Sequence, residues 1–173
     1  MTYREYKDIL NYELYKYSSG SPKNIINRFR IKYLQPNTNC VYMARKMWYL
    51  YSKGKIGRLR AKFLYLRIIH KYGCVIYPSI KVGKGFHITH PIGIVMGQCE
   101  VGEDFMIYQN CTIGTRIPGA GFPTIQNNVE LCANSLIIGN VSVCNDVIIG
   151  AYSLVIKDIV ESGSYAGNPL KRL

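Results

Sequence analysis

The sequence predicts a mainly β protein, a parallel β-helix that follows an α-helical N-terminal cap, and three observations lead to this fold class. Apolar residues recur every six positions in the second half of the chain. Residues 1–72 lack that period and carry the signals of helix starts and stops instead. Charge divides at the same place, because residues 1–72 have a net charge of +13 and residues 73–173 one of −1, within a total of +12. We therefore predict two domains with different tasks, the cap at 1–72 and the β-helix at 73–173.

The cap is predicted from capping and turn signals. Ser21 is a typical N-cap residue and Pro22 suits the first helical position, whereas Pro36 and Gly54 interrupt helices. The cap is also basic and rich in tyrosine, since it holds 16 of the 22 Lys and Arg residues and 11 of the 15 tyrosines. These signals predict four helices, near residues 2–17, 22–35, 39–53 and 55–71.

The β-helix is predicted from thirteen aliphatic positions that keep a six-residue period across 80 residues, with a one-residue slip in the first half. An amphipathic strand has a period of two and an α-helix one of 3.6, so neither explains this spacing. Each unit is expected to form a short strand and a turn with its aliphatic side chain inside, and three units close one coil. The positions are Ile76, Val82, Ile88, Ile94, Val101, Ile107, Ile113, Ile125, Leu131, Ile137, Val143, Ile149 and Val155.

Two segments of the β-helix region depart from the repeat. Residues 116–124 lack an aliphatic residue at the middle position between Ile113 and Ile125, and they contain two prolines and two glycines. This composition is typical of a loop, so the chain is expected to leave the coil there and return in register. Residues 163–173 follow the last repeat and are predicted to form a C-terminal tail.

Composition and hydropathy exclude several classes of protein. An apolar content of 48% with 18% charged residues is too rich for a disordered chain. No stretch approaches the ~18 apolar residues of a membrane span, and the N-terminal residues lack the apolar run of a signal peptide. The six cysteines form no C-x-x-C pair and are expected to be buried thiols in a reducing compartment. We therefore expect a cytoplasmic protein, with peripheral contact at the inner face of the membrane as an alternative.

Several motifs of the β-helix region resemble those of the hexapeptide-repeat acyltransferases. They are His90-Pro91-Ile92-Gly93-Ile94-Val95-Met96-Gly97, Val101-Gly102-Glu103-Asp104, Gln109-Asn110-Cys111-Thr112-Ile113-Gly114 and Gly167-Asn168-Pro169. The pattern is most similar to the serine acetyltransferase-like branch, which includes O-acetyltransferases of bacterial polysaccharide synthesis, and it covers residues 74–173. The resemblance implies a left-handed β-helix, a homotrimer with active sites between subunits, and acetyl-CoA as co-substrate.

His90 is the candidate catalytic residue. It lies two positions after Ile88, which places it at a turn of the coil and not inside it. Histidine is the side chain that titrates near neutral pH without perturbation, so it suits taking a proton from an attacking hydroxyl. The resemblance implies the same role, with direct transfer from acetyl-CoA in a ternary complex. The alternative is a surface or packing histidine.

A second histidine, His87, forms an H-x-x-H pair with His90. Two histidines do not make a metal site, and no third ligand of suitable spacing accompanies them. We therefore expect no metal, and we assign His87 to packing or to the rim of the acceptor site.

The resemblance also implies a groove for acetyl-CoA, in which small side chains would let the pantetheine lie flat on the coils. The alternative explanation is that any such coil needs small residues at its corners. The residues that match the groove are Gly114, Thr115, Ala133 and Ala151. Lys157, Lys171 and Arg172 lie near the end of the chain and are candidates for contact with the CoA phosphates, or form an exposed basic tail.

Three positions depart from the serine acetyltransferase pattern. Val75 stands where the family has the aspartate that orients the catalytic histidine, Thr89 replaces the aspartate beside that histidine, and Phe122 replaces a second histidine that holds the acceptor. An ammonium group needs anionic partners, whereas a neutral sugar needs an aromatic face and scattered hydrogen bonds. We therefore predict a sugar hydroxyl as the acceptor. The predicted acceptor site consists of Thr89, Tyr77, Tyr108, Phe122 and His87.

The leading hypothesis is thus an acetyl-CoA-dependent O-acetyltransferase that acts on a sugar hydroxyl of a bacterial surface polysaccharide or its precursor. The alternatives are serine O-acetyltransferase of cysteine biosynthesis and a non-catalytic trimeric β-helix scaffold. For the basic cap we consider contact with an anionic membrane, with an acidic glycan or with other subunits. We do not expect nucleic acid as a partner, because no DNA- or RNA-binding motif accompanies the charge.

Overall fold

The computed structural model describes residues 1–16 and 25–173, and the helices within these ranges lie close to the predicted ones. Pro36 occupies the first turn of the third helix, where its missing N–H is not needed, so the residue predicted to end one helix also begins the next. The fourth helix ends at Gly73, whose φ of 63° is favourable for glycine. The predicted helix start at Ser21-Pro22 lies outside the described residues. The helices are α1 Tyr3–Lys16, α2 Ile25–Leu34, α3 Pro36–Tyr51 and α4 Gly54–Tyr72.

Short strands follow the helices from residue 75 onward. They are β1 Val75–Ile76, β2 Lys81–Val82, β3 His87–Ile88, β4 Val95–Met96, β5 Glu100–Val101, β6 Met106–Ile107, β7 Thr112–Gly114, β8 Thr124–Ile125, β9 Val129–Leu131, β10 Leu136–Ile138, β11 Ser142–Val143, β12 Val147–Ile149, β13 Leu154–Val155, β14 Gly163–Ala166 and β15 Lys171–Arg172. From β1 to β13 every third strand belongs to the same sheet, because three strands complete one coil. In the order of stacking, the first sheet is β1-β4-β7-β10-β13, the second is β2-β5-β8-β11 and the third is β3-β6-β9-β12-β14-β15.

These parallel sheets confirm the predicted fold class, a parallel β-helix of about five coils behind a helical region. The core of the prism is a ladder of aliphatic side chains, and in the first sheet its members are Ile76, Met96, Ile113, Ile137 and Val155, all fully buried. One predicted core position is corrected, since Met96 and not Ile94 pairs with Ile113. Ile94 is also buried, which is why the periodicity did not distinguish the two residues.

The two irregular segments behave differently from each other. Between β7 and β8 the chain leaves the coil, and Thr124 then resumes pairing with Glu100. The segment predicted as a C-terminal tail is not a free tail, because β14 extends the third sheet and β15 folds back antiparallel to it. The Leu173 N–H donates to the Ser164 carbonyl at 2.9 Å, which secures the last residue.

A buried ion pair joins the helices to the first coil of the β-helix. Arg45 on α3 and Glu13 on α1 pair with 2.6 Å between Nη2 and Oε1, and both side chains are almost completely buried. The Arg45 guanidinium also donates to the carbonyls of Val82 and Gly83, and the Phe86 N–H donates to Glu13 at 2.9 Å. Because a buried charge needs both an opposite charge and full hydrogen bonding, this network fixes how the helices sit on the prism.

Aromatic packing strengthens the same junction. The Trp48 indole of α3 donates to the Tyr77 carbonyl at 3.0 Å, and its ring lies 5.7 Å from that of Phe86. Phe86 in turn stacks on Phe105 of the next coil.

Among the helices of the described residues, none has the length and apolar character that a membrane span requires.

Candidate active site

The candidate catalytic histidine, His90, lies at a corner where the first complete coil carries two extra residues. Six residues, 89–94, connect Ile88 to Val95. In the next coil only four residues, 108–111, connect the two residues that pair with Ile88 and Val95. The extra length makes the corner bulge outward, and the His90 side chain is exposed there. None of the described residues donates a hydrogen bond to the His90 ring or accepts one from it, which leaves both ring nitrogens available to a ligand.

Two buried polar atoms lie at the same corner. The Thr89 Oγ1 and Gln109 Oε1 atoms make no hydrogen bond within the described part of the chain. A buried polar group without a partner costs about 1–3 kcal/mol, so such atoms are uncommon in folded proteins. Thr89 precedes His90, and Gln109 forms the corresponding corner of the next coil. The corner therefore contains a hydroxyl and an amide carbonyl whose hydrogen-bonding capacity is unused.

Tyr108 and Glu130 extend this polar surface along the third sheet. The Tyr108 N–H donates to the Leu131 carbonyl at 3.0 Å, and this ladder places Tyr108 between Thr89 and Cys132. Burial and the neighbouring Glu130 carboxylate raise the pKa of Tyr108. A carboxylate thus lies on the face that contains Thr89. Sequence analysis missed Glu130 and Gln109 because they reach this face through the stacking of coils and not through a local sequence motif.

Tyr77 and Phe122 lie away from this corner. Tyr77 follows β1 at the opposite edge of the first sheet, where 43% of its surface is exposed. Phe122 is half-buried near the end of the excursion loop. Of the predicted acceptor residues, stacking therefore brings Thr89 and Tyr108 together beside His90.

The residues predicted to line the acetyl-CoA groove lie along both edges of the first sheet. Ala133 and Ala151 stack at the corner that leads into the sheet, since the Tyr152 N–H donates to the Ala133 carbonyl. Gly114 ends β7 at the opposite edge, where a side chain would meet nothing within 4 Å. Thr115 follows it and is exposed. Small or exposed residues thus border the outer face of this sheet on both sides.

The three basic residues predicted near the CoA phosphates are not equivalent. Lys157 and Lys171 are exposed at the end of the β-helix. Arg172 pairs with the Glu161 carboxylate and donates to the Ser162 carbonyl at 2.9 Å. Because its guanidinium already has an anionic partner, Arg172 is a weaker candidate for a phosphate contact than the two lysines.

His87 lies between the β-helix and the helices. Its side chain is half-buried beside Leu10, Thr38 and Tyr42, and burial lowers its pKa to about 4. This placement favours the packing role over a place on the acceptor rim. No three His, Cys, Asp or Glu side chains are grouped as a metal site in the described ranges.

The lowered pKa of His87 predicts that acid destabilises the fold. Between pH about 6.5 and pH about 4 the unfolded chain binds a proton that folded His87 does not. The free energy of unfolding should therefore fall as the pH falls through this window, and the fall should be smaller in His87→Gln. Urea unfolding of both proteins at pH 7, 5.5 and 4.5 measures the difference. His70→Gln, at an exposed histidine of α4, is the matched control, and identical pH dependence in wild type and His87→Gln would contradict the prediction.

No family model matches the chain. Over 150 residues the chain is 29% identical to a serine acetyltransferase of Helicobacter pylori, which covers 85% of this chain and 86% of that protein. It is 36% identical over 100 residues to a serine acetyltransferase of Staphylococcus epidermidis, covering 56% of this chain and 47% of that protein. The crystal structure of serine acetyltransferase from Brucella abortus superposes with a TM-score of 0.83 at 24% identity, over 99% of this chain and 70% of that one.

The stacked coils, the six-residue repeat and the exposed corner histidine define a hexapeptide-repeat β-helix protein. The sequence similarity to serine acetyltransferases confirms the prediction of an acetyl-CoA-dependent O-acyltransferase. The Brucella abortus structure supports the fold. The chain spans about half the length of the Staphylococcus epidermidis relative.

The prediction of a sugar hydroxyl in a surface polysaccharide as the acceptor is wrong. The relatives that the chain resembles along most of its length are serine acetyltransferases, and they favour the alternative instead. The prediction had relied on charges absent from three positions, Val75, Thr89 and Phe122. The absence of a charged side chain at one position does not exclude a charged partner for the acceptor at another position. Glu130 lies on the face of the third sheet that contains Thr89.

Proposed function

We propose that the protein is a serine O-acetyltransferase, which transfers the acetyl group of acetyl-CoA to the hydroxyl of serine. The observation that carries this proposal is the similarity to the Helicobacter pylori serine acetyltransferase, which extends over 86% of that protein and 85% of this chain, and therefore reaches into the helical region. The exposed His90 beside two unpartnered polar atoms supports a reaction at this corner.

In the proposed reaction His90 acts as the general base. It takes the proton of the serine hydroxyl as that oxygen attacks the carbonyl carbon of the acetyl thioester. Backbone N–H groups stabilise the negative charge that develops on the carbonyl oxygen. The C–S bond then breaks, CoA leaves as the thiolate, and the proton held by His90 passes to the thiolate sulfur. The products are O-acetylserine and CoA, so one acetyl group and one proton change places.

The remaining polar groups of the corner are assigned to binding. Thr89 and Gln109 would form hydrogen bonds with serine, which would satisfy the two buried atoms that lack partners. The small residues on both edges of the first sheet, Gly114, Thr115, Ala133 and Ala151, would border the acetyl-CoA. We also propose that the chain assembles as a homotrimer, which would cover the outer face of this sheet.

An acceptor assay tests the proposed function. The full chain is incubated with acetyl-CoA labelled in the acetyl group and with L-serine, and the products are identified by mass spectrometry. We expect O-acetylserine and an equal amount of CoA, with a rate that saturates in both substrates. L-Alanine, which lacks the hydroxyl, should give no acetylated product.

Two further acceptors sharpen the result. Ethanolamine lacks the carboxylate of serine and L-threonine adds one methyl group, so both test whether the whole amino acid is recognised. The proposal would be overturned by CoA release that does not depend on serine, or by transfer to another hydroxyl compound with no formation of O-acetylserine.

A further inference from the structure

Helix α4 carries an apolar stripe on its exposed surface. Ile56 is 77% exposed, Leu59 58%, Phe63 66% and Leu66 39%. Their spacing of three, four and three residues puts all of them on one face of the helix. Four large apolar side chains exposed in a row are unusual on a folded protein and indicate a surface that contacts something apolar.

The opposite face of α4 packs against the rest of the protein. Gly57, Ala61 and Ile68 are buried, and α4 lies along α3 over much of its length. Gly57 is required at this contact, because a side chain there would lie 2.2 Å from the Leu50 carbonyl oxygen. The exposed stripe therefore points away from the molecule, and the helix is apolar on two opposite faces.

Cations lie on both sides of the exposed stripe. Helical spacing puts Lys55, Arg58 and Lys62 along one side of it, and Arg60 and Arg67 along the other. Residues 54–72 include no Asp or Glu. The long aliphatic parts of Lys and Arg side chains can lie along an apolar surface while their charges remain in a polar layer.

We propose that α4 binds in the plane of an anionic lipid surface, with its apolar stripe among the acyl chains and its flanking cations at the headgroups. This arrangement fits an interfacial helix, in which Phe and Leu enter the boundary between headgroups and acyl chains and Lys or Arg contact anionic lipids. The stripe from Ile56 to Leu66 is about 15 Å long at 1.5 Å per residue, which suits a helix that lies on a bilayer and does not span it.

Charge and apolarity together distinguish this partner from other occupants of the same face. A second copy docked face to face through α4 would bring two sets of cations together without an intervening carboxylate of α4. Contact of α4 with a different surface of another copy is an outcome of the test below. An acidic polysaccharide would satisfy the cations but would leave the row around Phe63 exposed to water. An anionic membrane satisfies both. Binding of α4 to lipid does not depend on which acceptor receives the acetyl group.

Vesicle sedimentation tests the proposal with the full chain. Vesicles of phosphatidylcholine and phosphatidylserine in a ratio of about 7:3 are compared with phosphatidylcholine alone, at low and high salt. We expect binding to the anionic vesicles that weakens with salt, and much weaker binding to the neutral ones. Lys55→Gln with Lys62→Gln should weaken the partition coefficient about 25-fold, since each cation near an anionic surface contributes about fivefold. Leu59→Ser with Phe63→Ser should weaken it roughly tenfold or more.

Control variants carry similar changes elsewhere on the surface. Lys81→Gln with Lys84→Gln removes the same charge from the β-helix, and Val160→Ser replaces a side chain that is 80% exposed there. Both should bind as the wild type does. Equal binding to neutral and anionic vesicles, no binding at all, or unchanged binding by the α4 variants would overturn the proposal. So would a smaller oligomer of Leu59→Ser with Phe63→Ser in light scattering, because another copy of the chain would then cover the stripe.

Discussion

Replacing His90 with alanine is expected to lower kcat for acetyl transfer by about 10²–10⁴-fold, the usual contribution of a general base. The KM values for acetyl-CoA and serine should change much less, because the imidazole acts on the hydroxyl proton and is not assigned to binding either substrate. The melting temperature should stay near that of the wild type, since the side chain is exposed at a corner. Steady-state kinetics and thermal unfolding of the same preparation measure both quantities.

The other exposed histidine, His70 on α4, provides the matched control. His70→Ala removes the same side chain from α4, outside the corner formed by residues 89–94, and should keep full activity. Wild-type turnover by His90→Ala would contradict the assignment of the base. Equal losses in the two variants would also contradict it, because the loss would then not be specific to the corner.

The second large effect is expected at the buried ion pair. Arg45→Met should lower the free energy of unfolding by about 3–5 kcal/mol, because it leaves the Glu13 carboxylate buried without its cation. It also removes the donor to the carbonyls of Val82 and Gly83. For a chain of this size the melting temperature should fall by roughly 6–20 °C. Urea unfolding at pH 7 and calorimetry measure the two values.

An exposed ion pair supplies the control for this prediction. Lys81 and Glu100 are paired at 2.8 Å on the surface, where such pairs contribute about 0–1 kcal/mol. Lys81→Met should therefore have a small effect. A loss in Arg45→Met as small as that in Lys81→Met would show that the buried pair does not hold the helices on the β-helix.

The fold could be predicted largely from periodicity, because the inward position of each strand must be apolar and the coil fixes its spacing. Periodicity alone fails at the His90 corner. Ile94 and Met96 are both apolar and both buried, so a period of six selected the wrong one. Only the pairing of Met96 with Ile113 reveals that two extra residues precede it. The C-terminal strands β14 and β15 were missed because their residues carry no aliphatic repeat.

The site was predictable only in part, for a physical reason. His90 could be found from its place in the repeat and its chemistry, but Gln109 and Glu130 reach the same face through stacking of coils that are distant in sequence. Which charges of the cap are exposed could also be learned only from the structure. Arg45 counts toward its +13 in the sequence, yet it is buried and neutralised by Glu13. The cations flanking the stripe of α4 are the ones that remain exposed around an apolar surface.

The corners of this β-helix can accept added residues without a shift of the strands. Two residues are added before Val95 and a longer loop before Thr124, and in both places the backbone ladder resumes with its partners in line. Insertions at a corner are thus absorbed locally and do not shift the aliphatic interior. The reach of a corner histidine could be lengthened or shortened by a residue or two during evolution, or by an engineer, while the scaffold below it stays the same. The length of a corner can therefore vary separately from the stability of the core.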